Sequence, residues 1–63
     1  MSLGLSLRQT EVVMWVLEGL KNKDIGEKLF IDERTVKFHL GNIYKILKLK
    51  SRYQLMAWAH REL

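Results

Sequence analysis

Apolar side chains recur every three or four residues in four segments of the chain, and short polar segments separate these segments. This spacing predicts amphipathic α-helices, whose buried side repeats about every 3.6 residues. The clearest segment follows Asp32, a favourable N-cap whose carboxylate can accept from the free N–H groups of a first helical turn. It continues to about Lys48. Its predicted core positions are Val36, Leu40, Ile43 and Leu47.

The segment nearest the N-terminus predicts a helix that begins at a capping box formed by Ser6 and Gln9. The helix should continue to about Glu18 and end at Gly19, because glycine adopts the left-handed conformation without steric cost. Its predicted core positions are Val12, Val13, Val16 and Leu20. Trp15 falls near the same apolar side, and we interpret it as a large core residue with one exposed edge.

A short second helix is predicted from Lys21 or Asn22 to about Leu29, with Ile25 and Leu29 directed inward. Gly26 lies inside this helix, where glycine costs about 1 kcal/mol relative to alanine. Two explanations are open. Either a neighbouring helix crosses too closely for a Cβ atom at Gly26, or the lower stability of the helix is tolerated.

The remaining segments complete a helical domain. Residues 30–32 form a tight turn between the second and third helices, which together match a helix-turn-helix unit. A second capping box, Ser51 with Gln54, begins a last helix from about Arg52 to Glu62. Its predicted core positions are Leu55, Met56 and Ala59. We therefore predict an all-α, four-helix bundle that forms one domain over residues 1–63.

Charge is divided unevenly along the chain, whose net charge is +4. Residues 1–33 hold four basic and six acidic side chains, for a net charge of −2, whereas residues 34–63 hold seven and one, for +6. The third helix places no carboxylate opposite its apolar side, since its acids lie in the first turn, where the helix dipole favours them. Its outward residues are Arg34, Phe38, Gly41, Asn42 and Lys45, with Lys37 on the flank. Such a surface indicates an anionic partner, and nucleic acid is the usual one.

Composition excludes several other functions. The chain has no cysteine, its two histidines lack metal-site spacing, and it contains no glycine-rich phosphate loop. No apolar run approaches the roughly 20 residues of a membrane span. We expect a cytoplasmic, non-catalytic domain that needs no cofactor or metal and does not act at a membrane.

The residues themselves suggest two classes of DNA contact. Lys37 and Asn42 are candidates for base edges, because lysine suits guanine O6 and N7 and asparagine suits adenine N6 and N7. Contacts to phosphate position a protein without reading sequence. The candidates for phosphate contacts are Lys23, Arg34, Thr35, Lys45, Lys48 and Arg52.

The sequence also resembles the LuxR/FixJ-type helix-turn-helix of bacterial transcription regulators over nearly its whole length. The matching residues are Leu5, Ser6, Arg8, Glu11, Val12, Gly19, Leu20, Asn22, Lys23, Ile25, Leu29, Phe30, Ile31, Thr35, Val36, Lys37, His39, Ser51 and Arg52. The segment 48–52 together with Trp58 and His60 is similar to the NarL subgroup.

The resemblance implies a four-helix domain whose third helix enters the major groove of double-stranded DNA. It implies that Lys37, Phe38 and Gly41 face the bases and that Asn22, Lys23 and Thr35 reach phosphates. It further implies that the fourth helix pairs two domains on DNA, so Met56 and Trp58 are the candidate dimerisation residues. Domains of this type usually follow a receiver or ligand-binding domain in a longer regulator.

This chain departs from the family pattern at four positions. Gly41 stands where NarL-like proteins carry a base-reading lysine, and Phe38 replaces a smaller aliphatic residue. Gly26 and Leu55 stand where the family favours alanine.

Two alternatives remain from the sequence. A sigma-factor region-4-like domain would also bind DNA through a helix-turn-helix, but would be specific for promoter elements. A helical protein-interaction module would instead use Trp15, Met56 and Trp58 as a docking patch, which leaves the acid-free surface of residues 34–48 unexplained. For Trp58 alone, a protein contact and a core position are both open.

Overall fold

The computed structural model describes residues 4–63, which form four α-helices. The helices are α1 (Leu7–Leu17), α2 (Asn22–Leu29), α3 (Glu33–Leu47) and α4 (Arg52–Glu62). The predicted all-α architecture is confirmed, and the predicted ends agree with the observed ends to within about one residue. Residues 1–3 of the predicted domain lie outside the described part of the chain.

The capping box predicted for α1 is present in full. The Ser6 hydroxyl accepts a hydrogen bond from the Gln9 N–H at 3.1 Å, and Gln9 Oε1 accepts from the Ser6 N–H at 2.8 Å. The second box is only half correct. Ser51 Oγ accepts from the Gln54 N–H at 3.2 Å, but Gln54 Oε1 accepts from the N–H of Lys50 rather than from that of Ser51. The backbone of Ser51 is also more extended than that of Ser6, with φ of −152° instead of −73°.

Left-handed residues follow three of the helices. Gly19, with φ of 91°, ends α1 as predicted, and the next N–H closes the end of the helix by donating to the Trp15 carbonyl at 3.2 Å. Phe30 and Lys48 end α2 and α3 with φ of 58°, although neither is a glycine. The left-handed conformation costs such residues about 1–2 kcal/mol, and no local sequence signal predicts it here.

The core lies where the helices meet, with α1 against all three others. The residues buried there are Leu5, Val12, Val13, Val16, Ile25, Val36, Leu40, Ile43, Leu55 and Ala59. All but Leu5 were predicted. The other predicted core positions, Leu20, Leu29, Leu47 and Met56, are partly buried and pack around this cluster. The arrangement presents α3 with its apolar side on α1 and α2 and its opposite side open.

Gly26 allows the turn between α2 and α3 to close tightly. A Cβ atom at Gly26 would lie 2.6 Å from the Ile31 carbonyl oxygen, and the Ile31 N–H donates to the Gly26 carbonyl at 2.9 Å. The close-approach interpretation is therefore correct, although the neighbour is the backbone of the turn rather than another helix. At Gly41, by contrast, a Cβ atom would meet nothing within 4 Å.

Alanine at these two glycines should have different effects. Gly41→Ala should raise the free energy of unfolding by about 0.5–1 kcal/mol, the usual gain over glycine inside a helix. At Gly26 the same gain is opposed by overpacking against the Ile31 carbonyl, which typically costs about 1–3 kcal/mol. We expect Gly26→Ala to unfold at a lower urea concentration than Gly41→Ala when helicity is followed by circular dichroism. Equal midpoints would contradict the tight turn.

Candidate nucleic-acid interface

The first turn of α3 holds both of its acidic residues. Asp32 Oδ1 accepts a hydrogen bond from the Arg34 N–H at 2.7 Å, as expected of an N-cap. This backbone hydrogen bond lowers the pKa of Asp32 below its usual 3.8, and the nearby Arg34 guanidinium adds to the effect. Glu33 follows as the first helical residue. Both carboxylates therefore lie at one end of α3, outside the surface formed by the rest of the helix.

The outward side of α3 presents the residues that the sequence predicted. Arg34, Lys37, Phe38, Gly41 and Lys45 are exposed, and Phe38 keeps 65% of its surface open to solvent. Lys45 lies eleven positions after Arg34, which corresponds to about 16 Å along a helix axis. We call these five residues the outer face of α3. It has a cation at each end, and its central part combines Lys37 with the apolar ring of Phe38 and the bare backbone of Gly41.

Three predicted or neighbouring residues lie at the border of the outer face. Asn42, Thr35 and His39 are each half-buried. The ring of His39 lies beside that of Phe38, with the centroids 5.9 Å apart and the planes inclined by 60°. Asn42 and Thr35 therefore expose only part of their side chains beside the outer face. Lys48 is exposed just after the last helical residue.

The beginnings of three helices meet at a second location. An open depression is lined by Gly19, Leu20, Lys21, Asn22, Lys23, Glu33 and Arg52. Asn22, Glu33 and Arg52 are the first residues of α2, α3 and α4, so three positive helix ends converge here. Three of the predicted phosphate contacts, Asn22, Lys23 and Arg52, thus come together away from the outer face of α3.

Arg52 has structural partners within this depression. Its Nη1 donates to Asn22 Oδ1 at 2.8 Å, and its Nη2 donates to the Leu20 carbonyl oxygen at 2.6 Å. These bonds join the start of α4 to the loop between α1 and α2. The sequence placed Arg52 and Asn22 only as DNA contacts and did not reveal that they bind each other, since about 30 residues separate them. Lys21, exposed at the same depression, was also missed.

The outer side of α4 differs from the sequence prediction. Met56 and Trp58 are half-buried and pack against the core, so Trp58 is partly a core residue, and a protein contact through its exposed part stays a prediction. The most exposed aromatic residue of α4 is Tyr53, with 86% of its surface open, and Ala57 and His60 continue its row at helical spacing. We call Tyr53, Ala57 and His60 the outer row of α4. Its exposure could not be deduced from the weakly amphipathic pattern of this helix.

The apolar patch required by the interaction-module alternative is largely covered. Trp15, like Met56 and Trp58, is partly buried against the core, as its interpretation as a core residue predicted. The Lys28 ammonium lies over the Trp15 ring, 5.4 Å from the centroid, in a cation–π arrangement. Little of the three side chains therefore remains for docking.

Residues 4–63 lack the features of two other kinds of site. Within this range, no group of histidine, aspartate or glutamate side chains is arranged to hold a metal ion. No helix in the same range is long and apolar enough to span a bilayer.

Comparison with known proteins identifies the family of this domain. The family described as GerE, bacterial regulatory proteins of the luxR family, matches residues 3–59. The chain belongs to this family. It is a LuxR-family helix-turn-helix DNA-binding domain of the kind found in transcription regulators, which confirms the resemblance seen in the sequence.

Individual relatives are similar over nearly all of this chain. The transcriptional regulatory protein LiaR of Bacillus subtilis (strain 168) is 44% identical over 57 residues, which are 90% of this chain and 27% of LiaR. The nitrate/nitrite response regulator protein NarL of Escherichia coli (strain K12) is 40% identical over 58 residues, covering 92% of this chain and 27% of NarL. A putative HTH-type transcriptional regulator of Mycobacterium tuberculosis (strain H37Rv) is 52% identical over 58 residues, which cover 89% of this chain and 7% of that regulator. The chain thus spans about a quarter or less of these relatives' lengths.

Removing the Arg52 side chain should destabilise the domain. Arg52→Ala loses two charge-assisted hydrogen bonds, and we expect the free energy of unfolding to fall by about 1–3 kcal/mol. The free energy of unfolding of Arg52→Lys should lie between those of the unsubstituted protein and Arg52→Ala, because an ammonium cannot hold both acceptors in the geometry of the guanidinium fork. Arg61→Ala, at an exposed position of the same helix, is the matched control and should change stability by less than about 0.5 kcal/mol. If urea unfolding gives Arg52→Ala and Arg61→Ala the same free energy of unfolding, the structural role of Arg52 is refuted.

Proposed function

We propose that this domain binds double-stranded DNA sequence-specifically, with α3 in the major groove. The observation that carries the proposal is the outer face of α3, which is open to solvent, has a cation at each end and has no carboxylate along its length. The major groove is about 12 Å wide and admits an α-helix. With about 16 Å between Arg34 and Lys45 along the axis, the two ends can approach opposite phosphate walls while the centre meets base edges.

The roles follow from position on this surface. Lys37, Phe38 and Gly41 face the bases, and the exposed part of Asn42 reaches a base edge from the border. Arg34, Lys45 and Lys48 contact phosphates along the helix. Thr35 contacts a phosphate from the border of the outer face. Phosphate contacts through Asn22, Lys23 and Arg52 are supported by the depression where three helix beginnings converge, and Lys21 joins them there. Arg52 contributes mainly by holding this region together, because two of its nitrogens already donate within the protein.

Selection from a random duplex library at two salt concentrations, followed by sequencing, tests this proposal. We expect one enriched motif, and a steep loss of affinity with salt. If four phosphates are neutralised, the logarithm of the binding constant should fall with that of salt at a slope of about −3.6. Lys37→Glu should reduce selectivity for the motif, whereas Lys45→Glu should weaken binding to all duplexes and reduce the slope by about 1.

Arg61→Glu makes the same charge change at an exposed position outside the outer face of α3, and serves as the control. Selective binding that survives both lysine substitutions unchanged would rule out the proposed orientation. Absence of binding at low salt would favour the protein-interaction module. Enrichment restricted to promoter elements would instead favour a sigma-factor region-4-like role.

On DNA, two domains pair through α4 and occupy inverted half-sites. Support comes from the outer row of α4, where exposed Tyr53 flanks the small side chain of Ala57 on the side opposite the core. Met56 borders this row, and the exposed edge of Trp58 lies on the other flank of the helix. A two-fold pair of this kind requires half-sites separated by about one helical turn of DNA or a multiple of it.

Ala57→Glu should disrupt pairing without touching the core, because Ala57 is exposed. We expect the affinity for the selected inverted repeat to fall at least tenfold while binding to an isolated half-site stays within about twofold, because a paired second domain adds effective concentration. The measurement is a titration on both duplexes with stoichiometry from sedimentation. Met14→Glu, on the exposed side of α1, makes the same charge change. Equal losses on both duplexes, or an equal effect of Met14→Glu, would argue against pairing through α4.

In the intact protein, this domain occupies the C-terminal part of a cytoplasmic transcription regulator, after a receiver or a ligand-binding domain. The proposal is supported by the relatives, of which the matched region is only 27% in LiaR and in NarL. Residues 1–63 act as the single DNA-binding unit, without catalysis or a cofactor.

A further inference from the structure

Beside Lys37, the centre of the outer face of α3 presents an apolar and open surface. Phe38 exposes 65% of its surface, and three residues later Gly41 leaves the helix backbone bare. Arg34 and Lys45 lie one turn beyond on either side. The outer face therefore holds an aromatic ring beside an unfilled space, with cations at its two ends and Lys37 on one flank.

The fold requires neither of these two residues. A Cβ atom at Gly41 would meet nothing within 4 Å, so no packing excludes a side chain there. Glycine inside an exposed helix lowers stability relative to alanine, so the protein is less stable for having it. Phe38 contributes no buried area to the core, and its ring is steadied on one side by the half-buried ring of His39 at 5.9 Å. Ring and bare backbone are thus free to meet a ligand.

The long side chain of a helical residue leans toward the N-terminal end of its helix. On this rule the Phe38 ring covers the turn before it. The space above Gly41 is open, since nothing lies within 4 Å of the position that its Cβ atom would take. Together they make a shallow slot with the ring as one wall and peptide backbone as the floor. The ring and the bare backbone that form this slot suit a small apolar group, while Lys37 and Asn42 lie on its two flanks.

The major groove presents one group of this kind. Each base pair shows donors and acceptors there, and the C5-methyl of thymine is the apolar exception. We propose that the slot between Phe38 and Gly41 receives the 5-methyl group of a thymine near the centre of each half-site. This inference rests on the proposed function, in which α3 lies in the major groove, and specifies which base chemistry its centre selects. The missing Cβ at Gly41 lets the helix approach the base closely enough for the ring to touch the methyl group.

Deoxyuridine provides the test, because it lacks only the 5-methyl group and keeps the base pairing of thymine. In the duplex enriched by selection, each thymine of one half-site is replaced singly with deoxyuridine, and affinities are measured by fluorescence anisotropy. We expect one central position to lose about threefold to tenfold in affinity, the range expected for one buried methyl group. The other positions should change by less than twofold.

Protein variants then locate the contact. Phe38→Ala should bind the thymine duplex more weakly and should no longer distinguish it from the deoxyuridine duplex, whereas Phe38→Leu should keep part of the difference. Gly41→Ala, which leaves the fold intact, should reduce the thymine preference by holding the helix away from the base. Phe30→Ala removes a phenylalanine that is 94% exposed on the turn outside the outer face, and should keep the full preference.

The outcomes separate this inference from the function on which it rests. An enriched motif whose affinity is unaffected by deoxyuridine at every thymine would overturn the methyl contact and leave sequence-specific binding in place. A preference that survives in Phe38→Ala would equally overturn it. A library that yields no enriched duplex would contradict both the proposed function and this inference.

Discussion

The closure of the turn between α2 and α3 is the constraint on which the interface depends. The Ile31 carbonyl packs against the bare Cα of Gly26, and the Ile31 N–H returns to the Gly26 carbonyl. These two contacts fix the angle at which α3 leaves the turn. Because the direction of α3 is set there, the buried residues Val36, Leu40 and Ile43 can face the core while the opposite side of the helix remains open. The backbone contacts between Gly26 and Ile31, and not side-chain packing alone, therefore orient the outer face of α3.

Charged residues contribute to the same separation between the buried and the open side of α3. They do so outside the core, because the described part of the chain has no buried charged or polar residue. The acids of α3 are confined to its first turn, where Asp32 caps free N–H groups and its pKa is lowered by the same bond. Lys45 lies in the last turn, where the helix dipole favours a cation. The charges that help to form the helix therefore also leave its outer face free of carboxylates.

Local and periodic signals made most of this architecture predictable. Capping at Ser6 and Asp32, the glycine that ends α1 and the apolar spacing of α3 all depend on residues within one or two turns of each other. What the sequence did not reveal depends on tertiary contact. The bond from Arg52 to the Leu20 carbonyl spans 32 residues, and the left-handed conformations of Phe30 and Lys48 are imposed by the turns around them. The outer row of α4 likewise could not be identified from the sequence, because the side of that helix that packs on α1 is decided by tertiary contacts. The sequence identified candidate residues for DNA contact. It did not show which of these residues also stabilise the fold.

The position of α4 has a consequence for folding. Leu55 and Ala59 complete the core against α1, whereas Tyr53 and Ala57 lie on the far side of the same short helix. The core therefore depends on a segment at the end of the chain that is distant in sequence from its main packing partner. Any molecule that binds the far side of α4 only in its helical form must raise the free energy of unfolding of the whole domain, by mass action. Binding of such a molecule and folding of the domain would in this way be linked equilibria.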